Sequence, residues 1–357
     1  MSSFTSLLSL GALAATALGS PVPAEIPHLA PRAVSDFQCF NASLPNITIF
    51  ATGGTIAGSA GSADQTTGYQ AGALGIKVLI DAVPELCNIS NVRGVQIANV
   101  DSSDITSTIL TNLTHQIQAQ LDSPYTQGVV VTHGTDTLEE SSFFLDLTVQ
   151  SDKPVVVVGS MRPATAISAD GPINLLSAVK LAASDSAKKR GTLITLNDRI
   201  ASARPRSRVT WVPSKNIQPV FWYPAVRPLG HHYFNISSIS ASEPLPKVDV
   251  LYGQQEVDPE LFAAAVEGGA KGIVVAGVGA GGWPTKAKEQ LEEVVKKTKV
   301  PVVISRRTAW GFVSGQDYGI NAGYLNPAKA RIQLQLALAQ ELPAKEIKEI
   351  FEYTHVQ

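Results

Sequence analysis

Asn46-Ile47-Thr48-Ile49-Phe50-Ala51-Thr52-Gly53-Gly54-Thr55-Ile56-Ala57 is the stretch on which the fold turns. The run from Ile47 to Ala51 is apolar and β-branched and reads as a buried strand. Thr52 to Thr55 is rich in hydroxyls and glycine, where a strand can stop and the backbone can turn sharply. A similar pair comes later: Gly128-Val129-Val130-Val131 leads into Thr132-His133-Gly134-Thr135-Asp136-Thr137. In an open parallel sheet, ligands bind at the carboxyl ends of the strands. Glycines there let backbone amides approach a ligand, and hydroxyls supply nucleophiles. Two such segments, separated by enough chain for intervening parallel-sheet units, point to one site built from two strand ends.

Outward from these segments, strand and helix signals alternate. Val95–Val100, Pro154–Val158 and Gly191–Leu196 read as further strands, with helical patterns at Ile105–Leu121, Leu138–Leu147 and Gly171–Ala183. This alternation implies βαβ units and a mainly parallel sheet. From Pro205 to about His232 the rhythm is lost, and Ser237–Pro246 reads as a linker. A second alternation comes after it, with strands at Val248–Tyr252, Gly272–Ala276 and Val300–Ile304 and helices at Pro259–Val266, Thr285–Lys297 and Pro327–Gln340. The expected fold is α/β in two domains: a larger N-terminal, mainly parallel sheet flanked by helices, and a smaller C-terminal flavodoxin- or Rossmann-like domain. The boundaries fall at 1–20 for a signal peptide, 21–43 for an extension, 44–232 for the catalytic domain, 233–245 for the linker and 246–357 for the second domain.

The 357 residues are 44% hydrophobic and 16% charged, as in a well-buried globular enzyme. A formal net charge of -2 offers no electrostatic reason to bind nucleic acid or an anionic membrane. Leu7–Leu18 is apolar, too short to span a bilayer, and ends near small residues, as a cleaved export signal does, although no Lys or Arg precedes it. A disordered apolar tail is the competing reading. The asparagines Asn41, Asn46, Asn88, Asn112 and Asn235 each begin an N-glycosylation triplet, which together with the signal favours secretion as a glycoprotein. Cys39 and Cys87 can pair in an oxidising compartment or remain two buried thiols. Neither the two cysteines nor the six histidines have the spacing of a metal site, so no metal is expected.

Thr55, placed after a Gly-Gly pair, is a nucleophile candidate if a base or proton relay serves it. The polar stretch from Gly58 to Gly72 carries Tyr69 and reads as an unstructured active-site lid. In the second segment Thr135 and Asp136 can face one pocket, the carboxylate holding a substrate ammonium or capping the next helix. Ser102 or Ser103 can bind a carboxylate, while Asp104 or a serine can simply cap the following helix. Gly277-Val278-Gly279-Ala280-Gly281-Gly282 fits the dinucleotide fingerprint, but the next strand is followed by Ser305-Arg306-Arg307 rather than an acid. That basic pair leaves NADP open as a ligand; otherwise no cofactor is expected.

These motifs together resemble the type II L-asparaginases, exported bacterial and fungal threonine amidohydrolases. The resemblance is carried by Leu44–Ile49 running into Ala51–Gly58, and by Thr132–Glu140, Phe144–Val149, Asp152–Val156 with Val158–Pro163, Ser168–Leu175 and Leu325–Arg331, and extends roughly over Leu44–Arg204 and Leu245 to the end. It implies two α/β domains in a homotetramer, with the site between the first domain of one subunit and the second domain of its neighbour. It further implies that Thr55 attacks the asparagine side-chain amide with help from Tyr69, giving a β-aspartyl ester and ammonia. Thr135 would stand beside the water that releases aspartate, and Ser102, Ser103 and Asp136 would bind the substrate's α-groups. Backbone donors near Thr55, Thr135 or Ser160 would hold the oxyanion. A glutaminase-asparaginase and a catalytically impaired asparagine-binding homologue are the alternatives. The chain departs from the family where a Thr-Lys pair is expected, because Ser207-Arg208 stands there. Arginine stays protonated and cannot act as a base. Lys215 is a substitute at the wrong spacing, and the stretch 205–232 reads either as diverged or as a compensated reading-frame or splice error.

Overall fold

The computed structural model describes residues 37–204, 210–211 and 232–352. The first sheet contains β1 (Asn46–Gly53), β2 (Asn91–Val100), β3 (Gly128–Thr132), β4 (Val155–Val158), β5 (Thr192–Leu196), β6 (Arg199–Ser202) and β7 (Thr210–Trp211). Their spatial order is β2-β1-β3-β4-β5-β6-β7, parallel from β2 through β5 and antiparallel for β6 and β7. The chain passes from β1 to β2 on one side and returns to β3 on the other, so β1 and β3 flank a topological switch point. Every residue of β3 and β4 is buried, including four consecutive valines at Val155–Val158. Such unbroken apolar runs are what a parallel strand covered on both faces requires.

The helices of this half are α1 (Ile76–Asp81), α2 (Ser107–Asp122), α3 (Leu138–Thr148) and α4 (Gly171–Ala182). Helix α2 is capped by Thr106, whose hydroxyl accepts from Ile109 N at 3.3 Å. Asp104 and the serines are therefore not its cap, contrary to one reading of the sequence. Asp101 instead closes a short turn, its carboxylate accepting from Ser103 N at 3.0 Å. Nor does Asp136 cap α3, which starts after Thr137 without any side-chain cap. One apolar cluster, including Ile47, Ile49, Leu79 and Leu193, packs beneath one face of the sheet, and another, including Phe50, Leu113, Val131 and Leu145, covers the other.

The second sheet has β8 (Val248–Tyr252), β9 (Gly272–Gly277), β10 (Val302–Arg306) and β11 (Ile320–Asn321), all parallel, in the order β11-β10-β9-β8. It is flanked by α5 (Leu261–Glu267), α6 (Thr285–Thr298), α7 (Pro327–Ala339) and α8 (Ala344–Glu352). Asn326 caps α7 by accepting from Lys329 N at 2.9 Å, and Pro327 fills the first helical position, where a missing N–H costs nothing. Phe143, Phe144 and Leu147 of α3 share one apolar cluster with Leu334 and Leu336 of α7, so the two halves meet through a common core. Phe234, Ile236, Ile239 and Leu245 are buried in that cluster. The segment read as a linker is thus packed rather than a loose tether.

Cys39 and Cys87 form a disulfide with Cα atoms 5.8 Å apart, settling a question the sequence left open. It pins the residues before β1 to the turn at Pro84–Asn88. Asn91 adds a second clamp, its amide nitrogen donating to the carbonyls of Asn41 and Leu44 at 3.0 and 3.1 Å. Leu7–Leu18, the Ser207-Arg208 pair and Lys215 lie outside the described residues.

Candidate active site

The carboxyl ends of β1, β2, β3 and β4 deliver the predicted site residues to one edge of the first sheet. Beyond β1, Gly53 and Gly54 take φ values of 109° and 76°, a backbone region in which a side chain is strained. Space also demands glycine at Gly54, because a Cβ there would lie 2.2 Å from Gly134 N. The Thr-Gly-Gly-Thr and His-Gly-Thr-Asp segments thus touch backbone to backbone. A Cβ at Gly134 would in turn lie 2.7 Å from Ser102 Oγ, and one at Gly159 3.0 Å from Thr135 Cγ2. Three glycines hold Thr55, Ser102 and Thr135 on closely packed turns.

Thr55 is buried, and its Oγ1 lies 2.6 Å from the hydroxyl of Tyr69. No other hydrogen-bond partner of Thr55 Oγ1 occurs among the described residues. A proton leaving this oxygen therefore has one protein atom to meet first. The segment bearing Tyr69 is more ordered than its composition suggests. Ser59 and Gln70 exchange two backbone hydrogen bonds of 2.9 Å, which folds Gly58–Gly72 into a flap. Gly72 N donates to Gly54 O at 3.1 Å, and a Cβ at Gly58 would press on the Tyr69 ring at 2.9 Å. The flap's outer part is tied down by Ala60 N to Thr165 Oγ1 and Ile167 N to Ala63 O, both at 2.9 Å.

Ser102 is buried, whereas Ser103 is exposed, with its hydroxyl donating to Asp101 at 2.9 Å. Thr137 Oγ1 donates to Ser102 O at 2.7 Å, joining the turn after β2 to the turn after β3. Thr135 is partly exposed, and Asp136 is exposed without a hydrogen bond among the described residues. The structure thus brings Thr55 and Tyr69 into direct contact and sets Ser102, Ser103, Thr135 and Asp136 on adjoining turns.

Sequence reasoning gave no role to His133, which is fully buried beside Thr132. Its Nδ1 lies 2.7 Å from Gly134 O; a carbonyl only accepts, so Nδ1 carries the proton. Burial pushes the imidazole pKa down, which keeps the ring neutral. Lys329 is also buried, donating to Ala203 O at 2.9 Å and lying 3.6 Å from Glu139. Burial lowers its pKa, while Glu139 opposes the shift. Nearby, Arg204 pairs with the buried Asp146 at 2.7 Å. The Lys329–Ala203 contact connects residues over a hundred positions apart, so no local pattern announced it. Two cavities flank this region: one of about 530 Å³ is lined by Arg204, Arg306 and Lys329, and one of about 250 Å³ by Ser102, Ser103 and Glu140.

The glycine run after β9 is braced from within. Val278 N donates to Gly282 O, and the amides of Gly281 and Gly282 both donate to Val278 O, so the turn closes on itself. The basic pair is also placed differently from the sequence reading. β10 runs to Arg306, whose Nη1 donates to the carbonyls of Tyr324 and Leu325, while Arg307 Nη1 donates to Gly253 O. Each guanidinium thus has one nitrogen held by main-chain carbonyls, while Arg306 also lines the larger cavity and Arg307 is exposed. Among the described residues no group of three metal-binding side chains occurs, and no helix is long and apolar enough to cross a membrane.

Fold and site together define a two-domain α/β protein with a threonine hydroxyl presented at the switch point of a parallel sheet. Residues 46–232 match the family described as Asparaginase, N-terminal, and residues 247–351 the Glutaminase/Asparaginase C-terminal domain. The chain belongs to the asparaginase family. It is 46% identical over 332 residues to Probable L-asparaginase 3 of Schizosaccharomyces pombe, covering 89% of this chain and 91% of that protein. Identity to L-asparaginase 2 of Bacillus subtilis is 47% over 326 residues, 86% of each chain. A crystal structure of a probable cytoplasmic L-asparaginase from Campylobacter jejuni superposes with a TM-score of 0.79 at 42% identity, covering 86% of this chain and 99% of that one.

Proposed function

We propose that this chain hydrolyses L-asparagine to L-aspartate and ammonia, with Thr55 as the nucleophile. The observation that carries this reading is the 2.6 Å contact between Thr55 Oγ1 and Tyr69 OH. A threonine hydroxyl is a weak nucleophile until its proton has somewhere to go, and the phenol offers that path. Thr55 Oγ1 attacks the side-chain amide carbon while its proton passes through Tyr69 to the departing nitrogen. The C–N bond breaks, ammonia leaves, and a β-aspartyl ester remains on Thr55. Water near Thr135 adds to the ester; the ester C–O bond breaks, aspartate forms, and a proton returns to Thr55.

Ser102 and Ser103 bind the substrate α-carboxylate in this scheme, and Asp136 binds the α-ammonium group. The oxyanion rests on backbone donors near Thr55, Thr135 or Ser160. The reaction needs no metal or organic cofactor. The chain acts outside the cell as a glycoprotein, a reading supported by the apolar Leu7–Leu18, the glycosylation triplets and the disulfide, and its family resemblance favours a homotetramer. An ammonia-release assay on asparagine and glutamine with the purified protein tests the proposal. Release from asparagine that disappears in Thr55→Ala supports it, and release that survives the substitution refutes it. Equal turnover of glutamine would make the enzyme a glutaminase-asparaginase; one methylene is worth only about 1–3 kcal/mol in a pocket.

A further inference from the structure

The five glycosylation triplets are not equivalent once folded. Asn46 opens β1 and is held at both ends of its amide. Its Nδ2 donates to Tyr125 O at 2.9 Å, and its Oδ1 accepts from Asn91 Nδ2 at 2.7 Å. The hydroxyl of its triplet, Thr48, is buried and accepts from Arg93 Nε at 3.0 Å. A glycan on Asn46 would displace the junction of β1, β2 and the loop before β3. Asn88 and Asn112 are exposed, but the hydroxyl residues of their triplets, Ser90 and Thr114, are fully buried. Asn112 also sits inside α2, with Thr114 Oγ1 donating to Leu110 O at 2.8 Å.

Asn41 and Asn235 differ from these three. At both, the asparagine and the hydroxyl residue of the triplet are exposed. Asn41 Oδ1 accepts from Ser43 N at 3.0 Å and from Ser43 Oγ at 2.8 Å; Asn235 Oδ1 accepts from Ser237 N at 3.0 Å. These Asx turns are local, so they can form before the chain folds. In each the carbonyl end of the amide is engaged, while Nδ2 makes no hydrogen bond among the described residues. We propose that Asn41 and Asn235 are the carbohydrate-bearing asparagines of this chain and that Asn46 stays bare.

The modification joins Nδ2 to the anomeric carbon of an oligosaccharide. The sugar's bond to its lipid diphosphate carrier breaks, and the amide proton leaves with that diphosphate. The host's secretory pathway supplies the carrier, so the inference rests on the proposed export. Both turns also lie away from the catalytic edge. Asn41 packs on Asn91 at the start of β2, and Phe234 N, beside Asn235, donates to Leu147 O at the far end of α3. Glycans there crowd the amino edge of the first sheet, opposite Thr55.

The test expresses the full chain in a eukaryotic secretory host, once with its own N-terminal segment and once behind a heterologous leader. Enzymatic deglycosylation in heavy-oxygen water marks each occupied asparagine as labelled aspartate, located by peptide mass spectrometry. Labels at Asn41 and Asn235 with none at Asn46 are expected, and Asn41→Gln and Asn235→Gln each remove one glycan's mass while kcat and KM stay unchanged. A label at Asn46, Asn88 or Asn112, or an unlabelled Asn41 or Asn235 in the leader-driven protein, overturns the assignment. Retention in the cell only with the chain's own segment overturns the export reading alone.

Discussion

Two glycine turns leave the carboxyl ends of buried parallel strands, one after β1 and one after β9, and only the first sets a threonine hydroxyl against a phenol. Both use positive φ: Gly53 and Gly54 at 109° and 76°, Gly279 and Gly281 at 53° and 96°. After β9 the amides of Val278, Gly281 and Gly282 are bonded within the turn, the carbonyls of Ala280 and Gly281 accept from Gln316 Nε2 and the Tyr318 hydroxyl, and Gly281 packs against Ile304 and Val313. The turn after β1 is bonded to adjacent strands. Gly54 N donates to Val100 O of β2 at 2.9 Å, and Gly54 abuts Gly134 beyond β3. The turn after β9 carries no side-chain hydroxyl, whereas the turn after β1 sets Thr55 Oγ1 2.6 Å from the Tyr69 hydroxyl. Glycine spacing encodes the sharp bend in both cases; the neighbouring strands decide its use.

Thr55→Ala gives the largest break in this contrast. Ammonia release should fall by about 10⁴-fold or more, as when other catalytic nucleophiles are removed, with the far-ultraviolet circular dichroism unchanged. An active Thr55→Ala protein would make the β1 turn as inert as the β9 turn. Tyr69→Phe should lower kcat by about 10²–10⁴-fold, the usual worth of a positioned proton-transfer group, with KM changing far less. A parallel loss in KM alone would make Tyr69 a binding residue.

Gly54→Ala tests the backbone contact itself. The added carbon meets the Gly134 main chain at strained φ, and urea unfolding should show a loss of about 3 kcal/mol. The matching Gly279→Ala has open space around its Cβ and only strained φ, so a loss of about 1 kcal/mol is expected, with activity retained. Equal losses at the two positions would remove the distinction between a crowded and an open glycine.

The smallest effect per unit pH concerns His133 beneath the site. Its folded pKa is depressed below the ordinary 6.5 by burial, so the unfolded chain binds the proton more readily. This contribution to stability is present above about pH 6.5 and is lost as pH falls below it, at up to about 1.4 kcal/mol per pH unit. Unfolding free energies between pH 7.5 and 5 should therefore slope less steeply in His133→Gln than in the parent. Identical slopes would show that the ring does not titrate with folding.

Much of the fold was legible because apolar runs with strand and helix periods extend through β1, β3, β4, α3 and α4. The start of β2 at Asn91, the α1 turn, the β5–β6 hairpin and α8 were missed; their segments are short or carry polar residues at buried positions, as Asn91 and Arg93 do. The flap escaped because its order comes from one two-bond bridge between Ser59 and Gln70 rather than from any periodic pattern. Capping was misassigned at α2 and α3 because several residues in each turn can cap, and only the backbone path selects Thr106 or leaves α3 uncapped.

By itself the sequence determined the two-domain α/β plan, the strand ends that carry Thr55 and Thr135, and the residue types able to do amide chemistry. These rest on hydrophobic periodicity and glycine placement, both local along the chain. Only the tertiary structure decided that Tyr69 meets Thr55, that Gly54 and Gly134 touch, that Cys39 and Cys87 pair, and that Gln316 and Tyr318 bond the turn after β9. Each of those depends on how separate strands are ordered and registered in a sheet. Strand order is set by the burial of whole faces at once, which no short stretch of residues contains.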